Sequence, residues 1–247
     1  MGQRFTIDHV YLVSCKYGSA ILHNAGPAHL LDRRLTDRGG ERIDWFAAVA
    51  PEAHQALYAA YIDELGLDDM PAHVEDLQPD HRRRIKNAAV RGPWPGRAAA
   101  PASDFALAAA QGSAERWHAS LDTRARREEM VWRLLRLQAA PYFVLGADLG
   151  GDPLRYRVAT PWDFRQAFDL RSFDVWPDAA GQPLVRWRID VHDRVAGGDR
   201  FVDGHVEIRW SHGRFSGAPE AKVYLDTPPH DVAGYLPLDD AAAPERR

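Results

Sequence analysis

DGHVEIRWSHGRFSGAPEAKVYLD, residues 203–226, alternates in two segments around a polar, glycine-bearing loop. Successive side chains of a strand point to opposite faces. Val202, Val206, Ile208 and Trp210 therefore share one side, and Asp203, His205, Glu207, Arg209 and Ser211 the other. The second segment repeats the pattern, with Ala221, Val223 and Leu225 apolar and Glu220, Lys222, Tyr224 and Asp226 polar. Two such segments predict an antiparallel hairpin with one face on a core and the other in water.

Upstream, Ala196-Gly197-Gly198-Asp199 reads as a hairpin turn leading back to Val185, Trp187, Ile189 and Val191. The opposite side of that segment carries Arg186, Arg188, Asp190 and His192, which makes the charged face three strands wide. Further strands are predicted at 142–145, 154–159 and 170–176, separated by Gly, Pro and Asp.

Before Pro141 the period changes. A strand is expected over 9–17, and helices over 27–38 and from Trp45 after the Asp44 cap. Another helix should start at Pro51, with Leu57, Tyr58, Tyr61, Ile62 and Leu65 at helical spacing, and stop at Gly66. Residues 79–90 predict a helix bearing the basic run His81-Arg82-Arg83-Arg84-Ile85-Lys86. Residues 103–111 and 113–138 predict two more, the second the longest in the chain, after a Pro- and Gly-rich loop or linker at 92–101. The fold class expected is α+β. Residues 1–139 form a mainly helical region with an N-terminal strand, 140–238 an antiparallel sheet region, and 239–247 a disordered tail.

With 247 residues, 45% of them hydrophobic, the chain can bury a substantial core. A net charge of −4 argues against a generally basic nucleic-acid coat, although it leaves room for a local basic surface. Cys15 is the single cysteine, which rules out an intrachain disulfide, disfavours a cysteine zinc site and fits a reducing cytoplasm. No stretch approaches the roughly 20 apolar residues of a membrane span, so no membrane partner is expected. Gly-x-Gly-x-x-Gly, a phosphate loop ending in Gly-Lys-Ser/Thr and Gly-x-Ser-x-Gly are all absent, which disfavours dinucleotide enzymes, nucleotide hydrolases and α/β-hydrolases.

Glu220-Ala221-Lys222 places an acid and a cation two residues apart, on one face of a strand, downstream of Asp203 and Glu207. Metal-dependent phosphodiester cleavage needs carboxylate oxygens for a hard divalent ion and a cation beside the scissile phosphate. On these residues the chain resembles the PD-(D/E)xK nuclease superfamily, which includes many type II restriction endonucleases. A second, partial match lies in VYLVSCKY, residues 10–17, where an apolar strand runs into Lys16 but Ser14 stands in place of the acid. The main match departs from the pattern as well, since Gly217-Ala218-Pro219 rather than an apolar run precede Glu220.

The resemblance implies a magnesium-dependent DNA nuclease, restriction- or defence-related, with Asp203, Glu220 and Lys222 catalytic and Asp203, Glu207 and Glu220 as Mg2+ ligands. Arg186, Arg188, Arg209, His212 and Arg214 are the matching candidates for contacts to DNA, and a homodimer is compatible with this reading. The alternative is a non-catalytic binding or assembly protein that uses the charged sheet face and the 211–217 loop. Cross-strand ion pairing on a solvated sheet would account for the same residues. The basic run 81–86 is either a phosphate contact or a solvated helix face. Trp94, Trp162 and Trp176, each beside proline, are candidates to stack on bases or to cover a core edge.

Overall fold

A computed structural model describes residues 10–32, 44–89, 91–138, 141–179 and 181–238. The expected strand before Leu12 and helix beyond Asp32 fall in part, and the C-terminal tail wholly, outside these residues. The chain order is β1 (Leu12–Tyr17), β2 (Ile21–Ala25), α1 (Pro27–Leu31), α2 (Trp45–Val49), α3 (Pro51–Leu65), α4 (Pro79–Ala88), α5 (Ala99–Ser120) and α6 (Arg124–Leu134). It continues with β3 (Tyr142–Ala147), β4 (Pro153–Val158), α7 (Pro161–Ala167), β5 (Phe168–Ala179), β6 (Pro183–Asp193), β7 (Asp199–Arg209), β8 (Glu220–Leu225) and β9 (Tyr235–Pro237). The fold class is α+β.

The alternating segments form a five-stranded antiparallel sheet in the order β2-β8-β7-β6-β5. Every second residue of β6 is buried, and Val185, Trp187, Ile189 and Val191 are fully so. Val202, Val206 and Ile208 of β7 and Ala221 and Val223 of β8 continue that inner face. The long helix α5 lies against it at β5 and β6, with Trp117 meeting Phe173 edge-on at 5.7 Å between ring centroids. Small residues at Ala102, Ala106, Ala109, Ala110 and Ala114 let the helix come close. The β6–β7 turn forms where expected. The Asp193 carboxylate accepts from the Val195 and Ala196 amides, and Gly197 and Gly198 take positive φ.

The second sheet has four strands in the order β1-β3-β4-β9 and is mixed, because β1 runs parallel to β3. This departs from the wholly antiparallel sheet expected. A parallel pair needs a crossover connection, and here β2 and, among the described residues, six α-helices occupy it. The two N-terminal strands thus enter one sheet each, and the helical half of the chain is inserted between strands of the same two sheets.

The helix boundaries around Gly112 also differ from expectation. Instead of breaking there, α5 runs through Gly112, and the interruption comes at 121–123, where the Thr123 hydroxyl accepts from the Arg126 amide and starts α6. Glycine inside a helix costs stability, yet a Cβ at 112 would lie 2.2 Å from the Val49 carbonyl oxygen. Gly112 is therefore a packing contact between α5 and α2, beside the buried Trp45 Nε1 to Ser113 Oγ hydrogen bond of 2.9 Å. Among the described residues no helix is long and apolar enough to cross a membrane.

Gly204 has a comparable role in the sheet. A Cβ there would come within 2.0 Å of the buried Trp187 ring and 2.3 Å of the Tyr224 carbonyl oxygen. Gly204→Ala should cost about 2–3 kcal/mol by overpacking, lowering the melting temperature by about 4–12 °C. Gly217→Ala, with nothing within 4 Å of the new methyl, should leave it nearly unchanged. Thermal denaturation of the two variants beside the parent checks this.

Candidate functional site

The outer face of the five-stranded sheet is charged, as the alternation requires, and its charges are engaged with one another. Arg188 makes a bidentate pair with Asp203 directly across the ladder, at 2.7 and 2.9 Å. Arg186 bonds Asp178 at 2.6 Å and lies 3.7 Å from Asp226, which also holds His205 at 2.9 Å. Glu207 accepts from Tyr224 at 3.1 Å and from Arg209 at 3.3 Å. Glu220 is bonded by Ser211, with His212 3.7 Å away. Asp203 and Glu207 stand four residues apart on one strand, a spacing of about 13 Å along it. Each of the three expected metal-binding carboxylates therefore has its own partner, and the structure does not bring them together. Among the described residues no group of three or more His, Cys, Asp or Glu is placed to hold a metal ion.

The loop between β7 and β8 is different, because it is held from beneath. Phe215 has φ 56°, a left-handed conformation costly for a bulky side chain, and its ring is 1% exposed. What holds it is an aromatic cluster. The ring stacks on His54 at 5.4 Å and an interplanar angle of 9°, and meets Trp210 at 4.8 Å, Tyr58 at 5.6 Å and Tyr61 at 6.0 Å. The Phe215 carbonyl accepts from Arg82 Nη1 at 2.9 Å, and Ser216 Oγ donates to the His212 and Gly213 carbonyls.

Two cavities flank this pinned loop. One, of about 580 Å³, is bounded by α4 and carries Arg82, Arg83, Lys86 and His212. The other, of about 520 Å³, is bounded by the 92–94 segment and carries Arg209, Arg214 and Lys222. Arg214 lies over the Trp94 ring at 4.0 Å and bonds the Gly92 carbonyl, while its Nη1 and Arg209 Nε are buried without a partner. Among the described residues Asp44 is the only carboxylate lining either cavity, and it is occupied in capping α2 through the Phe46 and Ala47 amides.

No family model, curated protein or solved structure matches this chain. Its chemistry is therefore read from geometry alone.

Of the residues singled out from sequence, Arg209, His212, Arg214 and Lys222 meet at this loop, joined by Glu220 at its edge. Arg186, Arg188 and Asp203 lie further along the sheet within its ion pairs. The basic run contributes Arg82 and Lys86, one helical turn apart on α4, with Arg83 beside them. That helix and this loop are both legible in sequence, but their meeting across 133 residues is not. Trp94 covers the edge of the aromatic cluster, 5.1 Å from Tyr61, whereas Trp162 and Trp176 are exposed elsewhere.

His54, 1% exposed, lies directly under the loop, and neither of its ring nitrogens has a partner. Burial pushes its imidazole below the ordinary histidine range, Arg82 adds to this and Asp44 opposes it. Because the fold favours the neutral ring, its stabilising contribution is complete above the unfolded pKa of about 6.5 and is lost as pH falls below that value. His54→Phe should remove this dependence: between about pH 7.5 and pH 5 its melting temperature should fall less than the parent's. Equal decline in both proteins would show that His54 does not contribute.

Proposed function

We propose that this chain is a non-catalytic binding protein that grips the phosphodiester backbone of DNA at the rim of the 211–217 loop. The observation that carries the reading is the charge imbalance there. Three Arg or Lys side chains line each of two adjoining cavities, against one carboxylate among the described lining residues, while Arg83 and Arg209 also pair with Asp80 and Glu207 outside the linings. In a chain of net charge −4 such a concentration of cations is a segregated surface, and a polyanion that crosses it releases condensed counterions.

The loop's anchoring favours the same reading, since a pinned loop loses little freedom on binding. Arginine predominates, with Arg82, Arg83, Arg209 and Arg214 matching the fork geometry of phosphate oxygens. Phe215, His54, Tyr58 and Tyr61 beneath the loop are buried, and Arg214 covers the half-buried Trp94 ring. Recognition is therefore of backbone rather than of base sequence. Magnesium-dependent cleavage with Asp203, Glu207 and Glu220 as ligands would require these carboxylates to leave the separate partners described above.

Fluorescence anisotropy with a labelled DNA duplex tests the proposal. Binding should weaken steeply with salt, and Lys86→Ala should reduce the logarithmic salt slope by about 0.9, the value for one phosphate no longer neutralised. Arg188→Ala, which removes a paired cation outside the rim, should leave the slope unchanged. Absence of binding at low salt, or equal effects of the rim and face variants, would overturn the assignment. Plasmid cleavage with magnesium, abolished by Glu220→Ala and Lys222→Ala, would restore the catalytic reading.

A further inference from the structure

A third cavity, of about 230 Å³, lies where the two sheets meet, at the end of β8 remote from the 211–217 loop. Its apolar wall is formed by Leu22, Val144, Leu154 and Leu225, and Lys16 and Arg136 border it. Two carboxylates also line it, and both are committed elsewhere. Asp148 Oδ1 accepts from the Gly150 and Asp152 amides at 2.8 and 2.9 Å, and Asp226 pairs with His205 and Arg186. Lys16 donates to the Ile21 carbonyl, and an ammonium has three N–H groups to offer.

Two buried polar groups here have no partner. Arg136 sits at φ 65°, a conformation few arginines adopt, and its Nε is buried and unpaired. Tyr235, 6% exposed, lines the cavity with an unpaired hydroxyl, although a buried phenol normally finds an acceptor. Burial pushes that phenol well above its ordinary value, so it remains a donor. The local positive field registers on a neighbour: burial, with Arg136, Arg133 and Lys16, pushes His23 down to about 4. Burial and Arg136 likewise lower Lys16.

We propose that this cavity binds a small apolar monocarboxylate, its charge set against Lys16, Arg136 and the Tyr235 hydroxyl and its hydrocarbon part against the four aliphatic side chains. A ligand carboxylate would satisfy the orphaned Tyr235 donor beside Lys16 and Arg136, and the aliphatic wall would take the hydrocarbon part, with Ser14, Ser19, Tyr142 and Thr227 completing the lining. The volume is below the roughly 300–1,000 Å³ of drug-sized sites, which restricts the ligand to a single ring or a short chain.

Benzoate, titrated into the full chain and followed by calorimetry and by amide NMR shifts, is the probe. It should bind with shifts at Val144 and Leu225. Benzamide, its neutral counterpart, should bind about ten- to hundredfold more weakly, as expected when a charge-assisted hydrogen bond is replaced by a neutral one. Lys16→Met and Arg136→Gln should each weaken benzoate to a similar degree. Tyr235→Phe keeps the ring and its packing, so it decides the matter if those variants fail to fold, and about a tenfold loss is expected from the missing hydroxyl. No benzoate binding up to about 10 mM, binding indifferent to Tyr235→Phe, or inorganic phosphate bound as tightly as benzoate would each overturn the proposal. DNA binding by Tyr235→Phe should match the parent's, so the two sites fail or stand separately.

Discussion

The candidate DNA-binding surface depends on the insertion of one ring, Phe215, into the aromatic cluster of α3 and its neighbours. A β7–β8 connection of polar and glycine residues would otherwise be free to move. With Phe215 stacked on His54 and its carbonyl held by Arg82, the loop becomes a wall between two cavities, and the same contact brings α4 against the sheet. The left-handed backbone at Phe215 costs of order 1–3 kcal/mol, comparable to the roughly 1.5–3 kcal/mol from burying a phenylalanine side chain. The anchor persists because the ring contacts add to that burial.

Charge on this molecule is distributed by pairing, and pairing decides which charges remain available. The outer sheet face is crowded with ionic groups, yet Arg188 pairs with Asp203, and Arg186 joins Asp178 to the Asp226–His205 pair. Exposed pairs of this kind contribute about 0–1 kcal/mol each. Their main effect is to fix rotamers and reduce the face's outward potential. At the loop rim Arg209 and Arg83 pair in the same way, with Glu207 and Asp80, but the cations converge on the cavity walls beside Lys86 and Lys222. What distinguishes the rim is that six Arg and Lys side chains converge on two cavities, whereas the face spreads its charges along its strands.

The parts of this fold legible in sequence are those in which a local pattern meets a local need. Alternation placed β6, β7 and β8 on a common core, Asp44 marked the start of α2, and Pro51 and Gly66 bracketed α3. Gly112 was misread because its role is a contact with Val49, far away along the chain, and helix propensity carries no trace of it. The parallel pairing of β1 with β3 likewise depends on where the chain returns after its helices. For the site, sequence identified the loop and the basic helix separately. Glu-x-Lys spacing put Glu220 and Lys222 on one face, but it could not say that Ser211 and His212 would claim the acid. Lys16, met first in an incomplete motif, becomes informative only beside Arg136 and Tyr235.

The two proposed sites share β8, Glu220 and Lys222 standing at one end and Leu225 at the other, yet the strand gives them little means of communication. It is hydrogen-bonded to β2 on one side and β7 on the other, and Ala221 and Val223 between the two ends are fully buried. Coupling over such a distance needs an element with two discrete arrangements that each ligand biases differently. A central strand whose register is set by both neighbours and by its buried face has one arrangement, because a one-residue slip would turn Lys222 and Tyr224 into the core. Occupancy of the inter-sheet cavity should therefore stiffen the junction of the two sheets locally without altering the rim's grip on a polyanion. The two proposed sites thus lie on one strand whose fixed register keeps them independent.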